Sequence, residues 1–321
     1  MKKYIFLILI STFLFSTMEI AIKCTGTAFN SIQLNFIRFL IGGLVLLPLS
    51  IRKLRKNNRK LQGKDFIYFL ITGFICIIIS MTLFTAAVVM KGSNPAVIAV
   101  IFSFNPIFTI ALASIIFKEK ITKGIIGGLV VCFIGLLFVI NPFQLGGSAV
   151  PSMIMALVSG FTFALYSIMS KYTIVKRKLD AITVTAFTFL VGSFELLILI
   201  GLSHIKAFSN LMVEHNLSMF SNIPILHGIS MHNIILLLYI SIFVSGISFA
   251  LLFIVMEKLG ATMSSLIFFI KPVLSPILAL ILIHDVSILY PHNYVGVIFM
   301  AIGSIIIFII QMKMSKNLIK R

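Results

Sequence analysis

The sequence predicts an all-α integral membrane protein of ten transmembrane helices, built as two inverted five-helix repeats. Three observations carry that prediction. The 321 residues are 60% hydrophobic and only 11% charged, with a mean hydropathy of +1.17. Runs of about twenty apolar residues recur along the chain. Each can cross a bilayer as a helix, which closes its own backbone hydrogen bonds. The second observation is a repeat: Asn105-Pro106-IFTIALASIIFK-Glu119 returns 166 residues later as Lys271-Pro272-VLSPILALILIH-Asp285. Gly128 and Gly135 follow the first copy, and Gly296 and Gly303 follow the second. The third observation is the placement of the basic residues, which cluster between apolar runs.

Taken in order, the expected helices cover residues 4–23, 32–50, 66–90, 95–117, 124–141, 150–172, 181–203, 233–256, 262–283 and 294–311. Pro95 suits the first turn of the fourth, where its missing N–H costs nothing. The short connections 91–94 and 118–123 make their neighbours antiparallel. With the N-terminus in the cytoplasm, 21 of the 26 basic residues fall on that side, including Arg52–Lys64, Lys171–Lys178 and the tail from Lys313 to Arg321. Lys23, Lys91 and Lys206 stay outside, and Arg38 and Lys271 lie within spans. The positive-inside rule therefore favours N-in and C-in. Five helices per repeat is an odd number, so the second copy enters upside down. The repeats are taken as 1–142 and 143–321. The polar stretch 204–232, with Pro224 and four histidines, has no match in the first half and reads as an external insertion.

Two five-helix repeats, each with a proline in its fourth helix, an acid at that helix's end and a glycine-punctuated fifth helix, resemble the EamA-type members of the drug/metabolite transporter superfamily. Ser16 and Lys23 in the first span, Arg38-Phe39 in the second and Lys258-Leu-Gly-Ala-Thr before the ninth add to the resemblance. It covers nearly the whole chain. It implies an inner-membrane carrier working by alternating access, often an exporter of amino acids, metabolites or drugs. Several such proteins meet a second subunit through the glycine-bearing helices, which leaves a homodimer open. The chain departs from the pattern in having no Trp, in Asp285 where Glu is usual, and in lacking a second-half counterpart of Arg38.

An ionisable group at mid-bilayer costs roughly 2.5–3.5 kcal/mol and so calls for a function. Lys271 precedes Pro272, and Pro276 follows one turn on, so a break or kink is expected there. Lys271 then anchors an anionic group of a substrate, or pairs with an internal glutamate. Glu19 has Lys23 four residues on, in the favourable order for a helical ion pair. It serves proton coupling, or forms that local pair. Arg38 lines the cavity or pairs with Glu19. Glu195 is the expected partner of Lys271 or Arg38. Asn105, the repeat-equivalent of Lys271, completes the substrate-binding candidates. Pro106, Pro272 and Pro276 are the helix-break candidates. Glu119 and Asp285 end helices at opposite faces, where the dipole disfavours an acid. Each either caps the next helix or forms a gating contact between repeats.

The net charge of +18 does not point to nucleic acid, because the cations mark topology. Cys24, Cys76 and Cys132 form no disulfide framework and show no metal-ligand spacing. HExxH and GxSxG motifs are absent, as is any phosphate-binding loop. The expectation is a secondary carrier for a small, carboxylate-bearing metabolite in the plasma membrane. It has no cofactor or metal and is not an enzyme, and its partners are the substrate and the lipid bilayer. A lipid-linked head-group carrier and a non-transporting scaffold are the alternatives.

Overall fold

The computed structural model describes residues 2–26, 28–119, 121–140, 150–215 and 217–319. Among them nine helices are long and apolar enough to cross a membrane: Lys3–Cys24, Ser31–Lys56, Gly63–Val89, Pro95–Phe117, Lys123–Ile140, Val150–Arg177, Ala181–Ser203, Ile234–Leu259 and Pro291–Ile310. These are spans 1 to 8 and span 10. Span 9 is made of a short turn, Ala261–Ser264, and the helix Leu266–Ile283. The bundle turns large apolar side chains outward, among them Phe74, Ile115, Phe194 and Ile281. Such a surface suits lipid rather than water. Lys120, Lys320, Arg321 and the expected repeat boundary at 142/143 lie outside the described residues.

The repeat extends beyond the sequence motif into backbone geometry. Span 3 carries a π-helical segment over Phe74–Met81, and span 8 carries one over Ile240–Ile247, again 166 residues on. Such segments widen a helix by one residue per turn and collect at functional sites. Spans 4 and 9 end on left-handed residues, Lys118 (φ 54°) and His284 (φ 53°), at the same offset. In each case the cap N–H returns to the carbonyl five residues back, Ala113 or Ala279.

Close backbone contacts hold the repeats together. In spans 5 and 10 the glycines interlock: a Cβ on Gly135 would lie 2.6 Å from the Gly296 carbonyl oxygen, and one on Gly303 would lie 2.6 Å from that of Gly128. The glycine faces are thus used within one chain. Spans 3 and 6 exchange hydroxyls, Ser80 Oγ donating to Ser159 O at 2.9 Å and Ser159 Oγ to Ser80 O at 2.7 Å. Small residues and hydroxyls fill this role in membranes because apolar burial gives helices no preference for each other over lipid.

Segment 204–232 contains a helix, Lys206–Glu214, and folds over the turn between spans 1 and 2. Asn30 donates its side-chain amide to Met219 O at 2.9 Å, and Gln33 donates to His227 O at 2.6 Å.

Candidate functional site

Three spans are interrupted along their length. Span 1 breaks at Thr17, between the helices Lys2–Ser16 and Met18–Cys24. The Ser16 carbonyl at that break accepts from Ser275 Oγ of span 9 at 3.1 Å. Span 4 breaks at Ser103 and Phe104, and Asn105 turns its amide back to Phe102 O at 3.0 Å. Pro106 then sits in the first turn of the next helix, where proline is tolerated. Span 9 was expected to break or kink at Pro272 and Pro276. Instead its helix runs through both prolines, and the interruption falls earlier, at Ser265. Neighbouring helices can satisfy backbone groups freed by an intramembrane proline, so the helix continues.

Lys271 and Glu19 form an ion pair between span 9 and the second segment of span 1, Met18–Cys24, with exposures of 0% and 1%. Each residue comes from a different repeat. This corrects two expectations. Glu195, the expected partner of Lys271, stands half-buried beside Gly73 of span 3 instead: a Cβ on Gly73 would lie 3.2 Å from its Oε2, which has no partner among the described residues. Lys23 does not pair with Glu19 either. Its Nζ donates to Val88 O and Ser93 O, both at 3.3 Å, at the end of span 3. Three potential acceptors held by tertiary folding outweigh the helical i,i+4 pair, which alone contributes only about 0.2–0.5 kcal/mol.

Aromatic rings surround the pair. Lys271 Nζ lies 4.9 Å from the Phe102 ring centroid and 5.6 Å from that of Phe84. Phe15, Phe163 and Phe268 pack beyond, with Phe15 and Phe268 5.1 Å apart and Phe163 and Phe268 5.3 Å apart. A cation over ring faces is stabilised where water is excluded. Arg38 is also fully buried and lies within electrostatic reach of Glu19, though not hydrogen-bonded to it. The structure thus brings Glu19, Lys271 and Arg38 together. Nothing in the sequence marked Cys76 as a neighbour of Arg38, because a single thiol on an apolar helix carries no spacing signal.

The described contacts of Glu119 are with the opposite repeat and not with the start of the next helix, span 5, which it was expected to cap. Its carboxylate accepts from the Ala261 and Thr262 backbone N–H groups, each at 3.2 Å, and from Thr262 Oγ1. It also pairs with Lys171 of span 6. It therefore caps span 9 of the opposite repeat. The N-cap residue there is Gly260, which has no side chain to do so. At the symmetry-related place, Asn94 caps span 4 itself, accepting from Ala96 N at 2.8 Å, and its amide donates to Asp285 at 3.4 Å. Gly260 has φ +92°, and a Cβ there would lie 3.1 Å from Glu119 Oε1. Gly260→Ala is accordingly expected to destabilise the fold by about 1–3 kcal/mol, read as a lower Tm in detergent.

Burial works to raise the Glu119 carboxyl, but the hydrogen bonds from Lys171 and Thr262 outweigh it and hold the group below its ordinary 4.5. A lowered folded-state value means that Glu119 contributes fully above about pH 4.5. The contribution is lost as pH falls through the folded value. Glu119→Gln should flatten the acid limb of a Tm–pH profile below pH 5 and leave its slope near pH 8 unchanged. An acid limb as steep as wild type would refute the assignment.

Among the described residues no three His, Cys, Asp or Glu side chains group as a metal site. Two segments, 2–141 and 150–309, match the EamA-like transporter family. An uncharacterized transporter of Clostridium kluyveri is 30% identical over 312 residues, covering 95% of this chain and 92% of that one. Another uncharacterized transporter, from Methanothermobacter thermautotrophicus, is 24% identical, covering 87% and 78%. A crystal structure of similar fold superposes with a TM-score of 0.67 at 15% identity, covering 98% of this chain and 99% of that one. With the family matched once in each half, around a charged pair that joins the halves, the chain belongs to the EamA-like transporter family.

Proposed function

We propose that this protein is a secondary carrier that moves a small, carboxylate-bearing metabolite across the plasma membrane, in the export direction, with both termini cytoplasmic. The Lys271–Glu19 pair carries the reading. It is buried, it is contributed by both repeats, and it sits beside interrupted helices. Buried charges of this kind cost more than apolar packing would, so they are retained for a task. Lys271 and Arg38 are the charged groups that reach Glu19. A proton on Glu19 releases Lys271 for the substrate carboxylate. Loss of the substrate lets the pair re-form. The two inverted repeats rock about this centre, and the Glu119 contact opens and closes one face.

The test is counterflow in vesicles reconstituted with the purified protein, against a panel of labelled mono- and dicarboxylates and amino acids. Transport of at least one compound, faster with excess unlabelled compound inside, is expected. Vesicles of both orientations give the direction. Folded protein that moves none of them overturns the reading. One observation favours a lipid-linked cargo instead: a groove of about 630 Å³ between spans 4, 5 and 6, lined only by apolar side chains such as Phe104, Phe108, Phe133 and Leu157. Scrambling of a fluorescent short-chain lipid in the same vesicles would select that alternative.

A further inference from the structure

Arg38 is the buried charge that the ion pair leaves over. Its Nε, Nη1 and Nη2 all lie out of solvent, and none has a hydrogen-bond partner among the described residues. A guanidinium keeps its charge and offers five N–H donors in a planar fork, which suits a carboxylate. Leaving all of them unmatched in a dry core is among the least favourable arrangements a fold can hold. The Phe39 ring, 4.5 Å from Cζ, offers a face but no acceptor. Glu19 is close, but its Oε1 is taken by Lys271, and its Oε2, unmatched among the described residues, makes no hydrogen bond to Arg38.

The surroundings supply more donors. Cys76 of span 3 is within electrostatic reach of both Arg38 and Tyr166 of span 6, with Ser170 beside Tyr166. Tyr166 and Ser170 are buried and face each other, so, unlike Arg38, they are in reach of polar partners of their own. Arg38 and Cys76 come from the first repeat, and Tyr166 and Ser170 from the second. Charge completes the argument. Arg38 and Lys271 are two cations facing the single carboxylate of Glu19, so the centre lacks one negative charge.

We propose that Arg38 forms an anion subsite that holds a carboxylate of the cargo while Lys271 and Glu19 remain paired. This rests on the carrier reading and sharpens it: Arg38 is the anchor that is open first, and Lys271 becomes available only when Glu19 lets go. A purely structural Arg38 would find its acceptors within the fold.

The experiment is thermal unfolding of the full chain in detergent and chloride-free buffer, with acetate as the carboxylate probe and chloride as the inorganic one. Wild type should gain about 3 °C or more in saturating acetate, because a ligand of the folded state raises Tm. The double variant Glu19→Gln/Lys271→Met should keep that gain, and Arg38→Gln should lose it. If Arg38→Gln does not fold, Arg38→Lys decides, with an apparent Kd for acetate weakened at least tenfold. A gain that survives in Arg38→Gln or is unchanged in Arg38→Lys overturns the proposal, as does one that vanishes in the double variant or is absent from wild type. A chloride gain equal to that of acetate also overturns it, leaving a resident counter-ion in place of a cargo subsite. Acetate binding at Arg38 together with failed counterflow would reject the carrier reading and keep the subsite.

Discussion

Lys271→Met is expected to abolish transport and to cost the fold about 3–5 kcal/mol, the range for removing one partner of a buried ion pair. The cost arises because Glu19 keeps its place at 1% exposure with no counter-charge on Oε1, while its Oε2 has no partner among the described residues even in the wild type. The double variant Glu19→Gln/Lys271→Met should recover most of that stability, to within about 1 kcal/mol, since two neutral side chains in an apolar site no longer need each other. It should not recover transport. Thermal unfolding in detergent gives the first quantity and counterflow the second. If the double variant transports at the wild-type rate, the pair is a packing device and the proposed mechanism fails. If the single variant is as stable as wild type, the charges are not desolvated in the way the structure places them.

Asp65→Asn should have the next largest effect, about 2–4 kcal/mol of destabilisation, with no change in substrate preference in whatever protein remains folded. Asp65 has 0% exposure and ties three elements at the basic face of the bundle. Arg177 Nε at the end of span 6 donates to it at 2.6 Å, Arg59 Nη2 donates at 3.0 Å, and the Gln62 backbone N–H donates at 2.7 Å, closing the N-terminus of span 3. An amide at this position keeps the shape but loses the charge that both guanidiniums face, and it turns a donor toward one of them. The two arginines are 22% and 17% exposed, so water screens part of the loss and keeps the figure below the fully buried range. A lowered Tm that Arg177→Gln reproduces, and that is less than additive in the double variant, would establish the shared network. Additive losses would refute it.

Much of the fold was legible because lipid imposes simple rules. Length and hydropathy fix each span, and a parallel sequence repeat with an odd number of spans becomes an inverted one. Pro106 and Pro272 announced the repeat correctly, but the helix stays continuous through Pro272 and is interrupted at Ser265 instead. A proline marks a missing donor, and whether the helix opens there depends on what neighbouring helices supply. Glu119 and Asp285 were visible as acids at unfavourable helix ends. That Glu119 reaches across to cap span 9 follows from Gly260 having no side chain at that N-cap, whereas Asn94 caps span 4 unaided.

The sequence alone determined the number of spans, their alternation, the two repeats and the short list of charges too costly to be accidental. Only the tertiary structure decided which charges meet. Glu19 turns to Lys271, 252 residues away, rather than to Lys23 one helical turn on, and Arg38 is left without an acceptor among the described residues. The reason is physical. A helix repeats every 3.6 residues and a bilayer has one thickness, so local pattern and length are written into any short window of sequence. The electrostatic partner of a buried group is set by which faces of distant helices are pressed together, and that depends on the packing of the whole bundle.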